Sequence, residues 1–306
     1  MLEVQRNRSV KNRRLGSWEM LKIRTFETAA EFLQAAQIEL ESHEVVNSLV
    51  LGICGQLADH PERFSPPPVL KTVEENGALL LAAIMTPPHN LIVSGSSASK
   101  DGINRLVEDL IQDGRKIPGV LGPAEITREI AVGWADAVGC HRRVAYTLRM
   151  YELSEVLTPI PERGRLRAAE MEDLELIARW WFTARMEMFS RSDAEEDMRT
   201  AQVRIGDRDV YLWEDGEPVS MACRTRPTRR GISIGMVFTP PEMRNRGFAT
   251  ACVGELSRTL LRTGRKFCTL YADIMNPTSN HIYQTIGYRP VGDFDEYSFS
   301  EKTPGQ

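Results

Sequence analysis

The sequence predicts an α/β protein, with a mixed central sheet flanked by helices, whose plan is repeated along the chain. Short apolar runs of strand length alternate with longer runs in which apolar residues recur every three or four positions, as in helices that pack on a sheet. The order strand, tight turn, strand, strand, helix, strand, helix, strand occurs in both halves, although the residues differ. We therefore expect two domains of related topology.

The first predicted domain covers residues 20–157 and follows a basic leader. Residues 1–19 carry several arginines and lysines and little apolar content, so we expect a mobile segment. A strand then begins at Leu21, and Glu27-Thr28 is placed to cap the first of two helices. After Pro66-Pro67-Pro68, the pair Asn76-Gly77 predicts a hairpin between residues 69–74 and 78–85. A strand at 90–94, a helix, a short strand near Val120, a helix at 124–138 and a strand at 142–151 complete this domain.

The second predicted domain covers residues 164–306. Residues 157–164 contain two prolines and a glycine and cannot continue a helix or strand, so we place the boundary there. A helix through Leu174 and Trp181 precedes a hairpin that turns at Asp215-Gly216. A strand to Phe238, a helix, a strand from residue 267, a short helix and a strand at 288–299 follow.

Composition excludes several classes of function. The chain has 306 residues, a net charge of -4 and a pI near 5.9, which gives no basic excess for a nucleic-acid partner. The cysteines are scattered without metal-ligand spacing, so we expect reduced packing thiols and no metal. No apolar run is long enough to span a bilayer. We expect a cytoplasmic protein without a membrane partner, either a monomer or a homodimer.

A glycine turn before an amphipathic helix predicts a phosphate site. The apolar run 234–238 leads into Arg244-Asn245-Arg246-Gly247-Phe248-Ala249, and helical periodicity begins at once. A helix start leaves backbone N–H groups unpaired and carries partial positive charge, and Gly247 would let an anion approach these donors. The alternative is an ordinary surface helix start whose arginines are solvated.

A second segment follows in strand and helix order. Residues 267–274 form an apolar run, and Asn276 can cap a short helix that carries Tyr283 and ends at Gly287.

These two segments resemble the GNAT superfamily of acyl-CoA N-acyltransferases. Arg244, Gly247 and Ala249 match the family's pyrophosphate loop, Gln/Arg-x-x-Gly-x-Gly/Ala, while Asn276, Tyr283 and Gly287-Tyr288 match its later segment. The resemblance implies tandem GNAT-like folds. It is specific over about the last 140 residues and topological over the first half, where residues 91–100 occupy the loop position without its pattern and read as a degenerate copy.

The resemblance implies acetyl-CoA as acyl donor and assigns its binding residues. Pantetheine would pair with the strand edge, the diphosphate would lie on the turn, and Tyr283 would protonate the departing thiolate. The implied cofactor-binding residues are Val237, Phe238, Thr239, Arg244, Asn245, Arg246, Gly247, Phe248, Ala249, Thr250, Asn276 and Tyr283. Tyr283 could instead pack with Ile282 and Ile286, and Asn276 has an equally good structural reason as a helix cap.

An amine acceptor requires deprotonation, which costs about 4 kcal/mol for an alkylamine near neutral pH. Asp273, at the end of its strand, is the first candidate for a base, followed by Glu187 and Glu296. Asp273 could equally cap the following helix. Trp180, Trp181, Met186, Met188 and Phe189 read as a core stripe, part of which could wall an acceptor cleft.

These observations predict an acetyl-CoA-dependent N-acetyltransferase that acts by direct attack of an amine of a small molecule or peptide, with the second half catalytic. The alternative is a CoA-binding sensor or interaction module without turnover.

Overall fold

The computed structural model describes residues 21–95, 99–159 and 162–301. The expected leader lies outside these residues, as do residues 96–98 of the degenerate loop and residues 160–161 of the predicted boundary.

The described elements follow the predicted order. The first half contains β1 (Leu21–Thr25), α1 (Ala29–Ser42), α2 (Ser48–Asp59), β2 (Val69–Glu75), β3 (Ala78–Met85), β4 (Leu91–Ser94), α3 (Lys100–Gln112), β5 (Gly119–Pro123), α4 (Ala124–Val138) and β6 (His141–Leu153). The second half contains β7 (Arg165–Ala168), α5 (Leu174–Phe189), α6 (Ala194–Gly206), β8 (Val210–Asp215), β9 (Glu217–Thr225), β10 (Gly231–Phe238), α7 (Phe248–Arg262), β11 (Phe267–Asp273), α8 (Pro277–Ile286) and β12 (Arg289–Ser300).

Local sequence signals explain several of these boundaries. Asn76 and Gly77 have φ of 54° and 83°, as the tight turn between β2 and β3 requires, and this hairpin is confirmed. Thr28 accepts a hydrogen bond from the Glu31 amide, and the Glu31 carboxylate accepts from the Thr28 amide, so the predicted cap of α1 is a capping box. Gly287, with φ of 116°, ends α8 as expected.

The chain folds into two compact units whose residues interleave in sequence. Among the described residues, unit 1 contains those up to Ser42, those within Gln56–Tyr146 and those from Phe294 onward. Unit 2 contains His43–Gly55 and the described residues within Thr147–Asp293. The predicted boundary at residues 157–164 stays a prediction.

In unit 1 the strands lie in the order β1-β2-β3-β4-β5-β12, with β4 and β5 parallel. The last strand of the sequence completes this sheet, because Phe294–Ser298 pairs antiparallel with Gly119–Pro123. The core includes Leu106 and Leu110 of α3 and Ile130 and Trp134 of α4.

In unit 2 the strands lie in the order β6-β11-β10-β9-β8-β7. Here the last strand of the first half supplies the neighbour of β11, with Leu148–Leu153 antiparallel to Cys268–Asp273. One core contains residues of α7 and α8, and a second contains residues of α5 and α6. Trp180 and Trp181 are buried in the second core, whereas Met186, Met188 and Phe189 are exposed.

Two elements were missed by the sequence analysis. The edge strand β7 is four residues long with two arginines, which is a short and charged pattern typical of sheet edges. Helix α6 is mostly polar, and only Asp197, Ala201 and Ile205 are buried, so its apolar periodicity is weak.

Candidate acyl-CoA site

The two parallel central strands of unit 2 separate toward their carboxyl ends. Their pairing covers Gly231–Ser233 and Phe267–Thr269, although β10 continues to Phe238 and β11 to Asp273. On its other side β10 carries a bulge, since Gly235 lies opposite Cys223 and Phe238 opposite Met221, and Met236 adopts a φ of 46°. A bulge bends its strand and redirects backbone groups. The sheet therefore has a gap beside residues 235–239 that an extended ligand could enter.

The predicted anion turn lies between this gap and α7. Asn245 and Gly247 have φ of 61° and 78°, and a Cβ built on Gly247 meets no atom within 4 Å. The Ala251 amide donates to the Gly247 carbonyl, which leaves the amides of Phe248, Ala249 and Thr250 without an intrahelical acceptor. No side chain of the described residues caps this helix. The turn thus presents open backbone donors at a helix N-terminus, the arrangement that binds phosphate.

In the described residues of the first half, the equivalent helix, α3, begins differently. The Ser99 hydroxyl accepts a hydrogen bond from the Gly102 amide at 3.1 Å, and Asp101 places a negative charge in the first turn of α3. A Cβ built on Gly122 of β5 would lie 2.5 Å from the Val93 carbonyl oxygen, so β4 and β5 remain close where β10 and β11 diverge. Both differences agree with a degenerate copy.

The two arginines of the turn occupy different positions. Arg246 lies over the Phe248 ring, 4.8 Å from its centroid, and lines an open depression of about 690 Å³ beside α7. Arg244 instead donates to both oxygens of Glu187, at 2.9 and 2.8 Å, and to the Thr239 carbonyl at 2.9 Å. Gly247, Phe248 and Thr250 also line the depression.

The strand residues Val237, Phe238 and Thr239 border the gap in different ways. Val237 is half-buried, and the Phe238 ring packs 6.0 Å from that of Trp180. The Thr239 hydroxyl lies 2.9 Å from that of Ser220. These residues could therefore contact an extended ligand through their backbone groups at the edge of the strand.

Tyr283 is buried between two other tyrosines. Its ring centroid lies 6.2 Å from that of Tyr151 and 6.0 Å from that of Tyr288. Tyr151 donates to Asn280, and the Tyr288 hydroxyl lies 2.9 Å from that of Ser257, whereas no described residue hydrogen bonds to the Tyr283 hydroxyl. Tyr283 is 8% exposed, and its hydroxyl is not one of the buried polar atoms that lack a partner, so this hydroxyl is accessible to a ligand. Burial raises the pKa of Tyr283 to about 12, and the nearby Tyr151 adds to the increase.

Asn276 and Asp273 have structural partners in the turn that precedes α8. The Asn276 side chain accepts a hydrogen bond from the Ser279 amide at 3.0 Å, which is the N-cap role considered from the sequence. One Asp273 oxygen accepts from the Met275 amide at 2.8 Å, within the turn and before the helix begins. Asp273 nonetheless ends β11 at the mouth of the gap.

The other two carboxylates considered as bases have different surroundings. Glu187 has both oxygens occupied by Arg244. Glu296 lies in unit 1, where one of its oxygens accepts from Asn90 at 2.8 Å. Asp273 is therefore the best placed of the three.

Sequence reasoning missed two features of this site. The backbone conformation of Met236 creates the bulge, and Tyr151, which is 129 positions from its partner Asn280, packs against Tyr283. A methionine at positive φ has no sequence signal, and an alternating strand gives no indication of which distant helix it contacts.

Membrane and metal features can be reported for the described part of the chain. None of its helices is long and apolar enough to cross a membrane. It contains no group of three or more His, Cys, Asp or Glu side chains arranged to hold a metal ion.

Comparison with known proteins supports the fold. Residues 215–298 match the family model described as FR47-like protein, a GNAT-related domain. No curated protein matches the sequence significantly. A structure from Drosophila aligns over 91% of this chain and 98% of its own, with a TM-score of 0.66 and 14% identity.

Two further structures that align with this chain are described as GNAT proteins. A GCN5-related N-acetyltransferase from Sphaerobacter thermophilus aligns over 94% of this chain and 97% of its own, with a TM-score of 0.59 and 18% identity. A tandem GNAT protein from the clavulanic acid biosynthesis pathway aligns over 94% and 100%, with a TM-score of 0.53 and 14% identity. The chain therefore has the tandem GCN5-related N-acetyltransferase (GNAT) fold, and its residues 215–298 match the FR47-like family within that fold.

Proposed function

We propose that this protein transfers an acetyl group from acetyl-CoA to an amine of a small molecule or peptide, and that unit 2 carries the reaction. The observation that carries the proposal is the separation of β10 and β11 beside an uncapped helix N-terminus. One extended ligand with a diphosphate near its middle would use both features. The diphosphate would accept hydrogen bonds from the amides that follow Gly247, and the pantetheine arm would pair with the edge of residues 237–239.

In this reaction the amine nitrogen attacks the thioester carbonyl carbon, a C–N bond forms and the C–S bond breaks. Backbone amides near the bulge would stabilise the charge that develops on the carbonyl oxygen. The Tyr283 hydroxyl is protonated at neutral pH, as an ordinary tyrosine with a pKa near 10 would be, and the increase of its pKa to about 12 keeps it so. It can therefore donate its proton to the departing thiolate. Asp273, directly or through water, would accept the proton that the amine loses.

The cysteines favour direct attack over an acyl-cysteine intermediate. Burial raises the pKa of three thiols of unit 2 to about 12 and raises that of a fourth further, so they remain protonated; the three are Cys54, Cys252 and Cys268, and the fourth is Cys223. A thiol must lose its proton to act as a nucleophile. The amine is therefore the nucleophile that this site would use.

The test is to measure CoA release from acetyl-CoA with a panel of amines, alongside CoA affinity by calorimetry. We expect CoA to bind and at least one amine to accelerate thioester cleavage. Binding without any turnover across the panel would favour the sensor function instead, and absence of CoA binding would overturn both.

A further inference from the structure

The face of α8 that carries Tyr283 is held by a residue from the first half of the sequence. Tyr151 lies on β6 and is fully buried. Its hydroxyl donates to the Asn280 side-chain oxygen at 2.6 Å and accepts from the Gln284 side-chain amide at 3.2 Å. Asn280 and Gln284 are one helical turn apart, so the two hydrogen bonds span the turn that contains Tyr283.

The same network fixes α8 to the end of β11. The Asn280 side-chain amide donates to the carbonyls of Asp273 and Asn276, at 2.8 and 2.7 Å. Helix α8 has ten residues, of which only Tyr283 and Ile286 are buried, so apolar burial gives it few anchors. The position of α8 therefore depends more on the hydrogen bonds of Tyr151 and Asn280 than the position of a longer helix with more buried residues would.

We propose that Tyr151 is a positioning residue for Tyr283, so that the first half of the sequence contributes to the acyl-transfer site of unit 2. The proposal rests on the proposed function, since it assigns Tyr151 a part in the reaction of Tyr283. Tyr151 does not touch the reacting atoms; it sets the direction of the one hydroxyl in this tyrosine group that is left for a ligand.

The principal test is a double-mutant comparison of Tyr151→Phe and Tyr283→Phe. Phenylalanine keeps the ring packing at position 151 and removes both hydrogen bonds. We expect Tyr151→Phe to lower kcat about tenfold to hundredfold, with the KM for acetyl-CoA within about twofold. In a Tyr283→Phe background the same change should have no further effect, because it acts through the missing hydroxyl. A purely structural role would lower kcat in both backgrounds.

Tyr297→Phe is the matched control, since it removes a hydroxyl from a buried tyrosine of unit 1 and should leave kcat unchanged. Full kcat in Tyr151→Phe, or equal losses in both backgrounds, would overturn the proposal. If Tyr151→Phe does not fold, Gln284→Ala removes one hydrogen bond at an exposed position and should lower kcat about two- to tenfold. Unchanged kcat in that variant would likewise overturn it.

Hydrogen exchange separates this proposal from the proposed function. We expect Tyr151→Phe to increase exchange at the α8 amides more than about tenfold, and Tyr297→Phe to leave it unchanged. If the wild type binds CoA but cleaves no thioester, the proposed function fails, and this exchange result alone shows whether Tyr151 holds α8. Unchanged exchange would refute the positioning role whether or not the protein turns over.

Discussion

Replacing Gly247 with alanine tests the anion turn, because the chain offers a second glycine with the same backbone and no proposed ligand. Gly247 has φ of 78° and Gly264, beyond the other end of α7, has φ of 97°. A Cβ added at either glycine meets no atom within 4 Å. Each substitution therefore adds strain without a clash.

The cost to the fold should be similar at both positions. A residue with a Cβ in the left-handed region costs about 1–2 kcal/mol. For domains of this size each kcal/mol corresponds to roughly 2–4 °C in Tm, so both variants should melt a few degrees below the wild type. Differential scanning calorimetry measures this change.

The cost to the ligand should differ between the two variants. At Gly247 the Cβ would occupy the space through which a phosphate approaches the helix amides, and losing one charge-assisted hydrogen bond costs about 1.5–3 kcal/mol. This corresponds to a Kd for CoA about tenfold to hundredfold weaker. Titration calorimetry should show that weakening in Gly247→Ala and a wild-type Kd in Gly264→Ala. Equal affinities in the two variants would refute the phosphate site.

Three other predictions follow from the site and from unit 2. Tyr283→Phe should lower kcat about 10²- to 10⁴-fold with little change in the KM for acetyl-CoA, and full turnover would exclude Tyr283 as the acid. Glu187→Gln should release Arg244 and lower the Kd for CoA about two- to fivefold at low salt, and high salt should abolish this effect. An unchanged Kd would show that the Arg244 guanidinium does not reach the diphosphate. Burial alone would raise the pKa of Glu44, but hydrogen bonds from Thr228 and Arg230 outweigh this effect and lower the pKa below 4.5. Glu44 therefore stabilises the folded state above pH 4.5, and this stability is lost as the pH falls through the lower pKa of the folded protein. Urea denaturation below pH 4.5 should therefore show a flatter acid dependence in Glu44→Gln, and an unchanged slope would contradict this assignment.

The sequence was sufficient to predict those parts of the structure that depend only on residues close together in the chain. The turns at Asn76-Gly77 and Asp215-Gly216, the cap of α1 and the end of α8 at Gly287 each depend on local backbone preferences, and the structure confirms them. The tandem fold was likewise recognised, because the order of elements and the glycine turn are both visible along the chain.

Features that depend on distant contacts were not visible. The register that ends the β10 and β11 pairing at Ser233 arises from packing in three dimensions, and so does the contact between Tyr151 and Tyr283. The surface ion pair between Arg244 and Glu187 joins residues that are 57 positions apart. A motif identifies which residues approach a ligand, but it does not identify the other side chains of the protein that these residues contact.

The interleaved strands have a consequence for biosynthesis. The partner of β5 is Phe294–Ser298, which a ribosome adds only after β6 to β11 have been made. Until these residues leave the exit tunnel, one edge of a parallel central strand remains open and able to pair with another nascent chain. The first half therefore cannot complete its sheet until β12 has been made. We expect a chaperone that shields β5 before that stage to increase the yield of folded protein.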